Sequence, residues 1–447
     1  MIRLIAVLLL AAGTAIADDW PQWMGPTRDD RWKETGILQK FPEGGPKKLW
    51  SAPIGGGYAG PAVVGNRVIV TDYEPTDDKP PPNNPGAASK RSGKERILCL
   101  DAKTGKELWK HEYDCPYQVS YAAGPRCTPT VQDGKVYALG AMGNLYALDA
   151  ESGKVLWSKD FKTDYGAKTP IWGFTGHPLV YQNLVVCLVG GDSLLAAFDK
   201  DTGKEVWKAL TTPGAGNAGY CPPTLIEAGG TRQLVIWHPK KLVSVNPEDG
   251  QRYWDVDLVP YAGMSIPAPR QHGDYLYCGG VGFAGVVLKL DKEKPAVTEL
   301  WRGQQGKAEG LYPVNSTPII DAGILYGVDT PGCLRAVELT TGKRLWATML
   351  PVIGKDEDPE DRQRHNSATA FLVKNGDRYF IFGENGDLVI AKLSREKYEE
   401  VSRAKILEPT NDLAGPPGRK VIWSHPAFAN KRMYARNDKE IVCVSLA

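Results

Sequence analysis

The chain has 447 residues, of which 42% are hydrophobic and 13 are tryptophan, enough apolar material for one large core or several smaller ones. Its 54 lysines and arginines stand against 52 acidic residues, which leaves no basic field to recruit nucleic acid. Charge selects no partner class; periodicity is the informative property.

At the N-terminus a single Arg3 precedes the apolar run Leu4 to Leu10, and the small-residue site Ala15-Ile16-Ala17 leads into Asp18. This layout predicts a cleavable secretory signal over residues 1–17 and a periplasmic or secreted protein. The run is short for a membrane span and no later stretch is long enough, so no transmembrane segment is expected. No lipobox cysteine follows the run, which favours a soluble exported protein over a lipid-anchored one. Residues 18–447 are expected to form one domain.

Next come the leader DWPQWMGPTRD (19–29) and the strand PKKLWSAP, in which Leu49 and Trp50 foreshadow a repeat. LDAKTGKELW ends at Trp109 and LDAESGKVLW at Trp157; related endings fall at Trp207, Trp254, Trp301 and Trp346. The gaps from Trp109 onward are 48, 50, 47, 47 and 45 residues. Within one period CTPTVQ, KVYALGA, NLYALDA and KVLWSKD read as four short strands joined by DG, GN and SG turns. A four-stranded sheet that is apolar on both faces must be covered by its neighbours, which predicts a propeller with one blade per period. Trp50, Trp109, Trp157, Trp207, Trp254, Trp301 and Trp346 are then structural, each a large flat surface for packing blade on blade.

A second marker opens each innermost strand: GYAGPAV, RCTPTV, TGHPLV, GYCPPTL, SIPAPR, NSTPII, HNSATAF and SHPAFA. These are eight starts, of which only the seventh lacks proline. The eighth is followed by two strands and no fourth, so PKKLWSAP is expected to complete the last blade and seal the ring without free edges. The prediction is an all-β, eight-bladed propeller, with seven blades as the fallback should residues 367–402 not form one.

Four cysteines, Cys99, Cys187, Cys278 and Cys443, lie in alternating apolar runs and read as buried small hydrophobes. Cys115 and Cys127 flank a loop that a disulfide can close in an oxidising compartment, and are the candidate pair. No CxxCH or CxxC occurs, so neither covalent haem nor zinc is expected. Residues 73–96, rich in Pro, Asn, Gly and Lys, read as a surface insertion in the first blade, with a docking arm as the functional alternative.

Loop lengths are unequal. Turns after the first and third strands of each repeat are short, whereas the other set includes the 73–96 insertion and the long interblade segments, so one face is elaborated and is where a site is expected. The innermost strands begin on that face. Residues just ahead of them should ring the channel mouth: Tyr58, Arg126, Trp172, His177, Tyr220, Met264, Ser265, Asn315, His365, Asn366 and His425. Rigid aromatics mixed with hydrogen-bond donors suit a small planar ligand or a protein partner; the alternative is that they merely satisfy channel waters and loop backbone. No short-spaced ligand motif marks a metal.

The repeated D-x-x-T/S-G-K-x-x-W pattern, with the leader and GGGYAGPAV, resembles the pyrroloquinoline quinone (PQQ) propellers, a superfamily that includes quinoprotein alcohol dehydrogenases and the BamB proteins. The resemblance covers essentially all of residues 18–447 and is specific for fold. It implies either of two functions: a non-catalytic binding scaffold in the envelope, or a dehydrogenase using PQQ and calcium. The second needs carboxylates for calcium and for a base, and often a vicinal Cys-Cys disulfide; no Cys-Cys pair occurs and no Asp or Glu immediately precedes an innermost strand. No catalytic residue is assigned, and the scaffold reading is preferred. A carbohydrate-cleaving propeller would need facing carboxylates, which the mouth does not offer.

Overall fold

The structure is a computed structural model. It describes residues 18–447 apart from 80–83, 85, 122, 214–217, 306, 308, 358–366 and 414–418. The proposed signal, residues 1–17, lies outside the described residues.

Eight four-stranded antiparallel sheets form an eight-bladed β-propeller, accompanied by two small two-stranded sheets. The strand endings show why the sequence repeats. In the second blade Asp149 Oδ1 accepts from the Ser152 amide at 2.8 Å and hydroxyl at 2.6 Å, an Asx-type turn that places Gly153 at φ 72°. A side chain is excluded there twice over: by the left-handed backbone, and by the Trp109 ring, which lies 2.5 Å from where a Cβ would stand. Each indole therefore docks on the turn of the following blade. Trp109 Nε1 donates to Ala150 O, Trp157 to Lys200 O, Trp50 to Ala102 O, Trp301 to Leu339 O and Trp346 to Ser394 O, at 2.7–3.1 Å. Two depart from the pattern: Trp254 donates to Gln233 of its own blade, and Trp207 packs near Gly250 with its N–H unpaired among the described residues.

The ring closes as the sequence implies. Lys48–Pro53 pairs antiparallel with Glu440–Ser445, with Trp50 opposite Cys443. Beside this seam the fully buried Arg436 donates to Gly55 O at 2.6 Å, to Asn437 O at 3.2 Å and to Thr71 O, tying the eighth blade to the first. The seventh repeat, despite lacking its proline and tryptophan, forms a complete blade from Ala370–Asn375 to Tyr398–Lys405. Where its docking indole is missing, Phe41 is buried with Ala404, its amide donating to Ser402 Oγ at 3.0 Å.

The leader does something the repeat pattern does not disclose: it crosses the centre of the ring and touches all eight blades. Trp20 exchanges two backbone hydrogen bonds with Val63, and Pro21 O accepts from Val131. Arg28 donates to Pro178 O and, at 3.1 Å, to Pro223 O; Arg270 donates to Arg28 O at 2.7 Å. Arg31 donates to Ile320 O at 3.0 Å, the Trp32 amide bonds Lys374 O, and Asp30 pairs with His425 at 3.0 Å. Its ends lie at first-strand turns: the Gly65 amide donates to Asp19 and the Lys431 amide to Glu34. The leader thus enters and leaves on the short-turn face and closes the channel from that side.

Two sequence expectations need correction. All eight cysteines are buried, and Cys115 and Cys127 are not bridged. Cys115 packs with Tyr73 and Tyr117, whereas Cys127 sits in a separate core cluster against the Phe174 carbonyl. The flanks of the 73–96 insertion are also built into sheet. Arg67–Pro75 and Gly93–Asp101 pair along their full length, and Ser89–Arg91 pairs with Tyr117–Val119. The buried Arg91 holds that hairpin together through Asp77 and Lys79 O.

Candidate functional site

Two tiers form at the mouth. The lower tier is consumed by the leader. His177 accepts the Thr128 amide on Nδ1 at 2.9 Å and stacks on Trp23 with centroids 4.8 Å apart. Burial, reinforced by Arg28, holds its imidazole well below the ordinary range, so it is neutral. His425 lies between Asp30, Trp20 and Phe371. Burial raises the Asp30 carboxyl and His425 opposes that rise. Burial lowers the Arg28 guanidinium to about 10, which still leaves it charged at neutral pH.

The upper tier faces the long loops. Tyr58 receives a hydrogen bond from Asn411 at 2.6 Å, and the Arg126 guanidinium lies 5.2 Å from its ring centroid. Arg126 donates to Ser120 O, Tyr121 O and Gly124 O, so it organises its own loop; no carboxylate is ion-paired to it among the described residues. Trp423 lies beside Tyr58 at 6.5 Å and edge-on to Tyr121 at 6.1 Å. Across the mouth Trp172 packs on Tyr220 at 5.5 Å, the Tyr220 amide bonds Ser265 O, and burial pushes the Tyr220 hydroxyl up. The Ser265 hydroxyl is fully buried without a partner among the described residues. Asn315 donates to Ser367 O at 3.4 Å, and Met264 closes a short 3₁₀ turn. His365 and Asn366 lie outside the described residues.

Three participants escape a search for residues adjacent to proline. Trp423 and Tyr121 complete the aromatic cluster, and Glu384 lies beneath it, accepting from Trp423 Nε1 at 2.9 Å and the Thr369 amide at 3.1 Å while pairing with Arg419 at 2.7 Å. Burial raises its carboxyl. A signal for Trp423 was present: Tyr58, Arg126, Tyr220, Asn315 and Trp423 all stand three residues before a proline. Glu384 carries no such mark, because it lies in an ENG turn after a second strand.

The described acids near the mouth bond donors of the protein itself, Asp438 beside Tyr58 accepting the Gly57 amide at 3.0 Å. Glu384 is held as above; Glu95 accepts from the Tyr113 and Tyr117 hydroxyls and the Ala141 amide; Asp329 pairs with Arg335 and Arg344. Calcium takes six to eight oxygens, several of them carboxylate. Among the described residues no three His, Cys, Asp or Glu side chains converge to hold an ion.

A family model described as outer membrane protein assembly factor BamB matches residues 93–265. Over that stretch the chain resembles the PQQ-like repeat family, and over the rest what is shared is the propeller fold. Among proteins similar to this chain are quinohemoprotein alcohol dehydrogenase ADH IIB of Pseudomonas putida, 36% identical over 31% of this chain and 21% of that one, and BamB of Shewanella oneidensis, 28% identical over 49% and 56%. The chain therefore spans about a fifth of the dehydrogenase and about half of BamB in these matches. The quinohemoprotein alcohol dehydrogenase of Comamonas testosteroni superimposes with a TM-score of 0.57 over 95% of this chain and 80% of that one at 14% identity, a likeness of fold. No described helix is long and apolar enough to cross a membrane.

Proposed function

We propose that this propeller is an exported envelope protein that binds a protein partner on its long-loop face, through the cluster of Tyr58, Arg126, Trp172, Tyr220 and Trp423. The observation that carries the reading is the occupied channel. With the leader filling it from the other side, what the mouth presents on the long-loop face is a cluster of Tyr, Trp and Arg side chains. Those residue types dominate the binding energy of protein interfaces, because they bury large area with little entropy to lose. Beside the cluster Ile171, Val259 and Tyr261 stand exposed, and Tyr261 precedes Ala262 at φ 51°. The similarity to BamB, a named assembly factor, points the same way.

The test is recovery of partners from an envelope extract on immobilised protein, comparing the natural chain with a Tyr58→Ala, Trp172→Ala, Tyr220→Ala variant of unchanged circular dichroism. The reading requires a discrete partner recovered at least about tenfold less well by the variant. Equal recovery of every protein by the two rejects it. Similarity to the dehydrogenases supports a second reading, oxidation of an alcohol with PQQ and calcium. Turnover after reconstitution with PQQ, Ca²⁺ and an artificial acceptor would establish that reading in place of the first.

A further inference from the structure

The central channel holds a second recognition surface, independent of the long-loop face. Blades far apart in the ring present complementary groups to one segment that belongs to none of them. Two proline carbonyls, Pro178 O and Pro223 O, converge on the Arg28 guanidinium. One imidazole offers its face to Trp23, and Phe428 and His425 pack against Trp20. Val63 pairs with Trp20 as a strand neighbour would, and Arg270 donates to the Arg28 and Asp29 carbonyls. The segment arrives with a shape of its own. Gly25 N bonds Gln22 O, Arg28 N bonds Gly25 O and Asp30 N bonds Met24 O, and Gly25 lies beneath the Trp20 ring at φ 81°.

Main-chain pairing, aromatic faces for two indoles and carbonyls gathered on a guanidinium are the means by which proteins read peptides. We propose that the central channel is a peptide-binding site for a Trp-x-x-Trp segment followed by a Gly-Pro turn and an arginine, and that residues 19–34 fill it in cis. A segment of another protein with that chemistry enters only by displacing the leader. The site takes peptide rather than a small ligand because its contacts are spread over every blade.

The experiment uses the full chain with a protease site built into the exposed Glu43–Gly44 stretch. After cutting, the leader stays attached only by its contacts. Exchange for a fluorescent peptide of residues 18–34 is then followed by anisotropy, with an Arg28→Ala peptide and a scrambled peptide alongside. Retention of the cut leader, its exchange for the natural peptide, and binding at least about tenfold weaker for the Arg28→Ala peptide are expected. Loss of the leader from a ring that stays folded, absence of exchange, or equal uptake of the scrambled peptide overturns the proposal. Should the cut chain unfold, the uncut Arg28→Ala chain replaces it: uptake of natural peptide by this variant and not by the natural chain is expected, and no uptake by the folded variant overturns the proposal.

Discussion

His177 is read from sequence as a mouth donor, and in the folded chain it is an acceptor sealed between Thr128 and Trp23. Its buried imidazole resists protonation, whereas in the unfolded chain it takes up a proton near about pH 6.5. Below that pH the unfolded state binds more protons from this group, so its contribution to stability falls as pH is lowered. Raised carboxyls such as Asp30 act in the opposite direction, so the informative measurement is a difference. His177→Gln keeps an acceptor for the Thr128 amide and removes the titration. Its thermal midpoint should decline less than that of the natural chain between about pH 6.5 and pH 4; parallel curves would mean that His177 is protonated when folded. Tyr58, Arg126 and Tyr220 stand out in the sequence because they lie at a fixed offset from a strand-opening proline. The fate of His177 and His425 was not legible there, because the partners that enclose them, Trp23 and Asp30, come from a segment outside the repeat.

Between neighbouring blades the unit of stability is an indole on a glycine turn. The recurrence of D-x-x-T/S-G and Trp made this legible, but not that the turn receiving Trp109 belongs to the next blade, at Gly153. Trp157→Ala should cost about 3–5 kcal/mol through the lost ring and the cavity left behind. Trp157→Phe removes one of two donors to the Lys200 carbonyl, which keeps the Tyr137 hydroxyl, and should cost about 0.5–1 kcal/mol beyond the change in ring shape. Gly153→Ala tests the same contact from the other side. The left-handed backbone alone costs about 1–2 kcal/mol, and displacing Trp109 adds to it. Denaturant unfolding measures all three, and a Gly153→Ala chain as stable as the natural one would contradict the docking geometry. At the seam, Arg436→Ala strands the Thr71 and Gly55 carbonyls and should destabilise by about 3 kcal/mol or more.

On the scale of the whole molecule, each blade contacts chiefly its neighbours, so a repeat ring has no inherent reason to unfold as one unit. The leader supplies one, because a single segment is bonded to every blade. Eight blades and the closing strand were legible from period and from Leu49-Trp50, whereas the path of the leader was not: its polar groups satisfy carbonyls that carry no sequence signature. The same path makes the channel a filled site and directs attention for partner binding to the long-loop face. Hydrogen–deuterium exchange of the peptide spanning residues 18–34 tests this most directly. The leader should exchange as slowly as the inner strands and no faster than Ala62–Val64; exchange complete within seconds, as in a solvated tail, would contradict the account.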